Sequence, residues 1–375
     1  MIYLDNAATT FPKPASVLHD LSVCVGRYCG NPGRSSHRLS LRAAEEIYRT
    51  REDVAALLSF PKPENIVFTE NATYALNLAI KTTVAPGAHV VISDIEHNAV
   101  VRPLEKLRQT EHIRISTFST DGNLAENIES VLCDDTSVIV STLCGNVSGE
   151  RIPCSVLSEI RRRHPKIRLI LDASQAIGHE EINLEKTPCD ILCAPGHKGL
   201  FGIQGCGFAV FCDETLRESF IEGGSGSDSA SAEMPEYLPD RYEAGTLPTP
   251  AIVTLGSGIR YLENLGMEEV HRRLSVCSEK LYERLSSLVG VRPLARSECG
   301  VISFTYGDIP SSEIADALDR RGICTRSGLH CAPSAHRKFK TMKTGAVRVS
   351  LSVLNTERDI DGFYTALGEI LGNKC

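Results

Sequence analysis

The sequence predicts an α/β fold: a large unit with a seven-stranded, mostly parallel sheet covered on both faces, then a smaller α+β C-terminal unit. Three observations carry this reading. Seven short runs rich in β-branched and apolar residues alternate with helical or loop segments from Glu64 to Phe211. Polar, chemically capable residues fall immediately after several of those runs. The 375 residues, 42% of them hydrophobic, suffice for a large core split between two domains.

A helix is expected over residues 36–58, where Leu39, Ala43, Ile47, Val54 and Leu58 recur at helical spacing among Arg42, Glu45, Glu46 and Arg49. The strands follow as Ile66–Thr69, His89–Ser93, Ile113–Phe118, Val138–Thr142, Ile167–Leu171, Ile191–Ala194 and Gly207–Phe211. Short apolar runs of this kind are how strands buried on both faces read. The stretch from Glu222 to Ser229, mostly Gly and Ser with Glu222 and Asp228, reads by composition as a flexible linker. Beyond Pro250, helices are expected over Ile252–Leu265 and Glu268–Leu288, and strands over Val301–Tyr306 and Ala346–Leu351. Thr356 would cap a last helix with Ile360, Phe363, Tyr364, Leu367 and Ile370 on one face.

The net charge of −7 without a basic block gives nucleic-acid binding no electrostatic support. No window approaches the roughly 18 apolar residues of a membrane span. The start, Met1-Ile2-Tyr3-Leu4-Asp5-Asn6, has no basic or apolar signal region, so a cytoplasmic protein is expected. The 14 cysteines are scattered and never form C-x-x-C. Cys193, Cys206 and Cys212 sit in apolar runs and read as small buried hydrophobes. A disulfide framework is not expected. Nor is a metal, because His330, Cys331 and His336 lack structural-site spacing.

Thr69 to Thr73 follow the first strand, Glu96-His97-Asn98 the second, and Cys144-Gly145-Asn146 the fourth. Asp172 and Gln175 follow the fifth, and His197-Lys198 the sixth. Open parallel sheets bind ligands outside the carboxyl ends of their strands. Taken singly, Asp172 or Thr73 caps a helix, His97 is a satisfied histidine and Asn146 is a turn residue. Lys198, straight after a buried strand and beside glycines, has no packing role. Together, an Asp and a Lys at two successive strand ends supply what pyridoxal 5'-phosphate needs: an amine for the Schiff base and an acid for the ring nitrogen. A helix N-terminus at Thr73 would suit its phosphate.

The residues resemble the class V aminotransferase family, within it the cysteine desulfurase and selenocysteine lyase branch. The matching pieces are Tyr3-Leu4-Asp5-Asn6-Ala7-Ala8-Thr9-Thr10, Glu96-His97-Asn98, Asp172-Ala173-Ser174-Gln175-Ala176, Gly196-His197-Lys198, Tyr242-Glu243-Ala244-Gly245-Thr246, Arg326-Ser327-Gly328-Leu329-His330-Cys331-Ala332 and Arg348-Val349-Ser350-Leu351. They span nearly the whole chain.

The resemblance implies the aspartate-aminotransferase-like fold type I. Residues 15–250 would hold pyridoxal phosphate; residues 1–14 and 251–375 would carry the cysteine loop. It makes Lys198, Cys331 and His97 catalytic. Lys198 would hold the cofactor and move the substrate's α-proton, Asp172 would pair with the ring nitrogen, and Gln175 with the ring oxygen. His97 would stack on the ring. Ala72, Thr73 and His197 would hold the phosphate, with Thr246 reaching it across a homodimer interface. Arg348 would clamp the substrate carboxylate, with Asn146, Arg326 and Ala8 nearby. Cys331 would take the sulfur of L-cysteine as a persulfide, release alanine and serve an acceptor protein.

The compact Arg-x-Gly-x-His-Cys-Ala form resembles the branch with a short cysteine loop. Pro195 stands where many relatives have a phosphate-binding Ser, and Gly202-Ile203-Gln204-Gly205 lacks a customary proline. Asn31-Pro32-Gly33-Arg34-Ser35-Ser36-His37 matches either major branch only in part, which suggests a divergent subgroup. The alternative in the same chemistry is a selenocysteine lyase or another C–S or C–Se lyase. An aminotransferase, which has no use for Cys331, and a non-catalytic scaffold rank below both.

Overall fold

A computed structural model describes residues 1–33, 35–213, 215 and 218–372, so Arg34 of the 31–37 motif lies outside the described residues. A two-residue strand, β1 (Ile2–Tyr3), comes first, then α1 (Ala15–Val23), a π-helical turn over Cys24–Tyr28 and α2 (Arg38–Leu57). His37 starts α2 by accepting the Ser40 amide at Nδ1, 3.2 Å away. Ala43, Ile47 and Val54 are buried as the spacing predicts.

Next come β2 (Ile66–Thr69), α3 (Ala72–Thr83), β3 (His89–Ser93), α4 (Asn98–Thr110), β4 (Arg114–Phe118) and α5 (Leu124–Glu129). They are followed by β5 (Thr136–Thr142), α6 (Cys154–Arg163), β6 (Arg168–Asp172), β7 (Ile191–Pro195) and β8 (Gly207–Phe211). All seven strands join one sheet in the order β2-β8-β7-β6-β5-β3-β4. Only β8 runs antiparallel to its neighbours, β2 and β7; the remaining pairs are parallel. Alternate residues feed opposite faces: Ile170 and Cys193 join one core, Leu171 and Leu192 the other. Each fully buried Leu or Ile contributes about 1.5–3 kcal/mol, so a one-residue register slip is costly.

The rest of the chain forms α7 (Thr249–Leu265), α8 (Met267–Ser287), β9 (Val291–Pro293), β10 (Val301–Tyr306) and α9 (Ser311–Asp319). It closes with β11 (Ile323–Cys324), β12 (Arg326–Gly328), α10 (Pro333–Lys338), β13 (Ala346–Ser350) and α11 (Glu357–Ile370). β12-β13-β10-β9 make a four-stranded antiparallel sheet. β1 returns to pair in parallel with β11, which brings the chain's start to this unit. Thr356 caps α11 in a capping box, its amide donating to Asp359 at 2.8 Å.

α7 straddles the expected 250/251 boundary and packs against α1, α2 and α8. Two other expectations change. The Gly/Ser segment is not a free linker: the Gly245 amide donates to the Gly224 carbonyl at 2.9 Å, and Ser227 donates to Asp240. Backbone and hydroxyl bonds order a stretch that its side chains alone would not. Cys193 and Cys206 are buried as expected, whereas Cys212 is only half-buried, its sulfur 3.7 Å from that of Cys189. No helix of the described residues is long and apolar enough to cross a membrane.

Candidate active site

The site is built on the carboxyl ends of β3, β5, β6 and β7. Asp172 ends β6, where its Oδ1 accepts the Ser174 amide at 2.9 Å in a turn rather than a helix cap. His197 and Lys198 follow β7. Gly199 comes next because a side chain there would meet the Ile177 carbonyl at 2.2 Å. The N-terminal turn straps this loop down. Thr10 Oγ1 donates to the His197 and Lys198 carbonyls at 3.0 and 2.5 Å, and Lys13 Nζ donates to His197 at 3.1 Å.

Lys198 is half-buried in the cavity, and desolvation lowers its pKa to about 8 against the opposing pull of Asp172. At neutral pH part of the population is therefore the free amine, the nucleophilic form.

Thr73 lies one residue inside α3; Asn71 is the cap, its Oδ1 accepting the Tyr74 amide at 3.0 Å. Ala72 and Thr73 of this first turn line the cavity, where a helix N-terminus favours an anion. β8 passes directly beneath. A Cβ on Gly207 would lie 2.5 Å from the Asn71 carbonyl carbon, so only glycine admits the helix start there. Pro195 lines the same cavity without offering a donor.

His97 caps α4, its Nδ1 accepting the Ala99 amide at 3.0 Å. Burial lowers its pKa to about 4, so the ring is neutral and the hydrogen bond assigns its proton to Nε2. Glu96, fully buried behind it, accepts from Ser93 Oγ at 2.6 Å and the Thr142 amide at 2.8 Å. Desolvation raises its pKa to about 8, keeping it the neutral acid at pH 7.

Gln175 Nε2 donates to the Ala7 carbonyl at 3.0 Å, and Asn146 Nδ2 to the His330 carbonyl at 2.7 Å. Carbonyls accept only, so both amide orientations are fixed. Gln175 Oε1, Asn146 Oδ1 and His197 Nδ1 are left buried without a partner. One cavity is lined by all three residues with Ala72, Thr73, His97, Asp172 and Lys198. Buried polar atoms in such a cavity call for a polar ligand.

Cys331 is exposed, and His330 and Cys331 both adopt left-handed backbone, φ 49° and 57°. Non-glycine residues hold that conformation only against strain. Two bonds from the sheet unit hold them: the Asn98 amide donates to the Cys331 carbonyl at 2.7 Å, and Asn146 donates to His330. A histidine chain lies beneath. His330 Nε2 faces the Arg326 carbonyl at 3.3 Å, so it must donate, and Nδ1 must accept from His336 Nε2 at 3.3 Å. His336 Nδ1 then accepts from Thr341 Oγ1 at 2.7 Å. Burial lowers both histidine pKa values, keeping each ring neutral.

Lys338, at the end of α10, donates to Glu150 at 2.7 Å and pairs with Asp121 at 3.0 Å, which ties the cysteine loop to the sheet unit. Arg348 is fully buried on β13. Its Nη2 pairs with Asp5 at 2.9 Å, Nη1 donates to the Asn146 carbonyl at 3.1 Å, and Nε has no partner. Arg326 stands opposite it in register. Ala8 lies in the turn whose Ala7 carbonyl binds Gln175.

A family model for class-V aminotransferases matches residues 2–363. The chain belongs to that family. It is 30% identical to a probable cysteine desulfurase of Methanothermobacter thermautotrophicus, over 99% of this chain and 95% of that protein. A probable cysteine desulfurase of Streptomyces coelicolor is also 30% identical, over 99% and 92%. Among solved structures, the apo cysteine desulfurase of Thermococcus onnurineus superposes with a TM-score of 0.91 at 27% identity, covering 99% of this chain and 94% of that one.

In this member of the family, Ala72, Thr73, His97, Asn146, Asp172, Gln175, His197 and Lys198 line one cavity, whereas Ala8, Thr246, Arg326, Cys331 and Arg348 are not among its lining residues. Thr246 is exposed and lies outside the cavity of its own chain. The sequence reading also gave no role to Asp5, Lys13, Glu96 or Lys338. Asp5 and Glu96 lay inside recognised motifs, and that was their only signal. Lys13 and Lys338 act through contacts between distant segments and had none.

Proposed function

We propose that this chain is a pyridoxal-phosphate-dependent cysteine desulfurase, converting L-cysteine to L-alanine with transfer of the sulfur to Cys331. The observation that carries the reading is the pinning of exposed Cys331, by the amide next to His97 and through Asn146, to the cavity that holds Lys198 and Asp172. The names of the relatives support it.

The unpartnered Gln175, Asn146 and His197 atoms, the α3 amides and the Asp172–Lys198 pair fit the cofactor's ring and phosphate. When bound, pyridoxal phosphate supplies an aldehyde for the amino group and an electron sink for bonds broken at Cα. Lys198 would hold it and move the α-proton, and Asp172 would accept the ring N–H. Gln175 and Asn146 would present acceptor oxygens to the ring hydroxyl. Ala72, Thr73 and His197 would take the phosphate. His97 would lie against the ring with its Nε2 proton available.

Arg348 would meet the substrate carboxylate through its free Nε edge, with Arg326 adding positive charge and Ala8 lining the approach. Cys331 would attack the substrate sulfur: a sulfur–sulfur bond forms, the carbon–sulfur bond breaks, and its electron pair stays with carbon, which takes a proton. The persulfide would then pass to an acceptor protein. Exposure of Thr246 away from its own cavity supports a homodimer in which Thr246 of the partner subunit completes the phosphate site. Residues 15–250 would serve the cofactor, with 1–14 and 251–375 carrying Cys331. A cytoplasmic setting is part of the same reading.

The test is alanine and sulfide release from L-cysteine with a reductant, on pyridoxal-phosphate-loaded protein. Equal alanine and sulfide, lost by at least about a thousandfold in Lys198→Ala, is the expected result. Loaded protein that yields no sulfide from cysteine but turns over selenocysteine would replace this reading with a selenocysteine lyase.

A further inference from the structure

At the opposite, amino end of the sheet, the first residue of β3 meets the turn that leads into β5. We propose that His89, Cys133 and Asp135 form a zinc-binding site there, independent of the reaction proposed above.

Cys133 Sγ lies 3.0 Å from His89 Nδ1 and 3.2 Å from Asp135 Oδ1. The three ligand-type atoms all fall within 4.8 Å of one another. Imidazole nitrogen, thiolate sulfur and one carboxylate oxygen are a donor set for zinc; magnesium and calcium prefer oxygen alone.

The surroundings orient these donors. His89 Nε2 is 2.8 Å from Ser116 Oγ; when that nitrogen carries the hydrogen, the Nδ1 lone pair faces the cluster. Thr136 Oγ1, 2.8 Å from Nδ1, accepts the Cys133 amide at 2.9 Å and so braces the turn. Arg114 pairs with the other Asp135 oxygen, Oδ2, and leaves Oδ1 toward Cys133.

A tetrahedral ion with bonds of about 2.0–2.3 Å separates neighbouring ligand atoms by about 3.6 Å. The turn therefore has to open by about half an ångström, and the exposed Cys133 and Asp135 are free to give. Binding displaces the Cys133 thiol proton to solvent, and water completes the fourth position. No redox change is involved.

The experiment adds zinc to the holoenzyme, removes loose metal by gel filtration over a weak chelator, and counts zinc per chain. Wild type is expected to keep about one equivalent, and so is Cys331→Ser, which removes the only thiol proposed for catalysis. Cys133→Ser should keep less than a tenth of that while turning over as wild type does. Asp135→Asn should bind about tenfold more weakly. With cobalt in place of zinc, a sulfur-to-metal charge-transfer band should appear in wild type and vanish in Cys133→Ser. The proposal is overturned if wild type keeps no zinc, if Cys133→Ser keeps as much as wild type, or if the metal leaves with Cys331→Ser instead.

Discussion

Lys198 lines the cavity and the loop of Cys331 is pinned to residues beside it, yet the two are held in opposite ways. Lys198 follows a strand buried on both faces, beside a glycine that admits no side chain, under an N-terminal strap of hydrogen bonds. Cys331 sits exposed on left-handed backbone, braced by two hydrogen bonds and a lysine at the end of a short helix. The difference matches the chemistry proposed for them. A cofactor needs donors fixed to within fractions of an ångström, whereas a sulfur carrier must meet substrate inside and an acceptor outside.

That contrast is open to direct attack. Cys331→Ala should lower sulfide release from cysteine at least about a hundredfold while cofactor absorbance and affinity stay as in wild type. Loss of the cofactor along with activity would show that loop and sheet form one unit. Lys338→Met removes the tie between α10 and the Glu150 and Asp121 loops. Turnover should fall roughly tenfold through misplacement of the thiol, with cofactor affinity unchanged; an equal fall in both erases the distinction.

On the rigid side, uptake of pyridoxal phosphate by the apoprotein should speed up as pH rises and level off above about 8, where Lys198 has lost its proton. A rate still climbing at pH 10 would mean that burial does not govern this amine. A pH effect on stability, rather than on turnover, concerns Glu96, whose pKa is raised from 4.5 to about 8 in the folded chain. Its contribution to stability is full below pH 4.5 and drains away as pH rises toward 8, by on the order of 1 kcal/mol per unit. Glu96→Gln should flatten that slope in denaturant melts run from pH 5 to 8; an unchanged slope would assign it to other groups.

The seven sheet strands were legible because each is a run of four to seven residues and all but the edge strand β4 are buried almost throughout. β1, β9, β11 and β12, at two or three residues each, carry no periodicity to read. Asp172, Lys198 and His97 could be picked out because their place after a strand is itself a sequence feature. The hold of Asp5 on Arg348 spans 343 positions, and only folding brings the two together. Thr73 reads as a helix cap from its residue type alone, but Asn71, two residues earlier, offers an equally good side chain and takes the role. The Cys133 cluster escaped for the same reason as Asp5: His89 lies 44 residues away, far outside any metal-ligand spacing.

The strap has a consequence for the order of assembly. Asp5 precedes its partner Arg348 by 343 positions, and β1 precedes β11 by nearly as much, so synthesis delivers the two sides of that contact far apart in time. Thr10 can reach the His197 and Lys198 carbonyls once β7 is made, but β1 must wait for β11 and Asp5 for Arg348. These closures are therefore among the later contacts to form, and a product truncated before β11 leaves β1 without its partner strand.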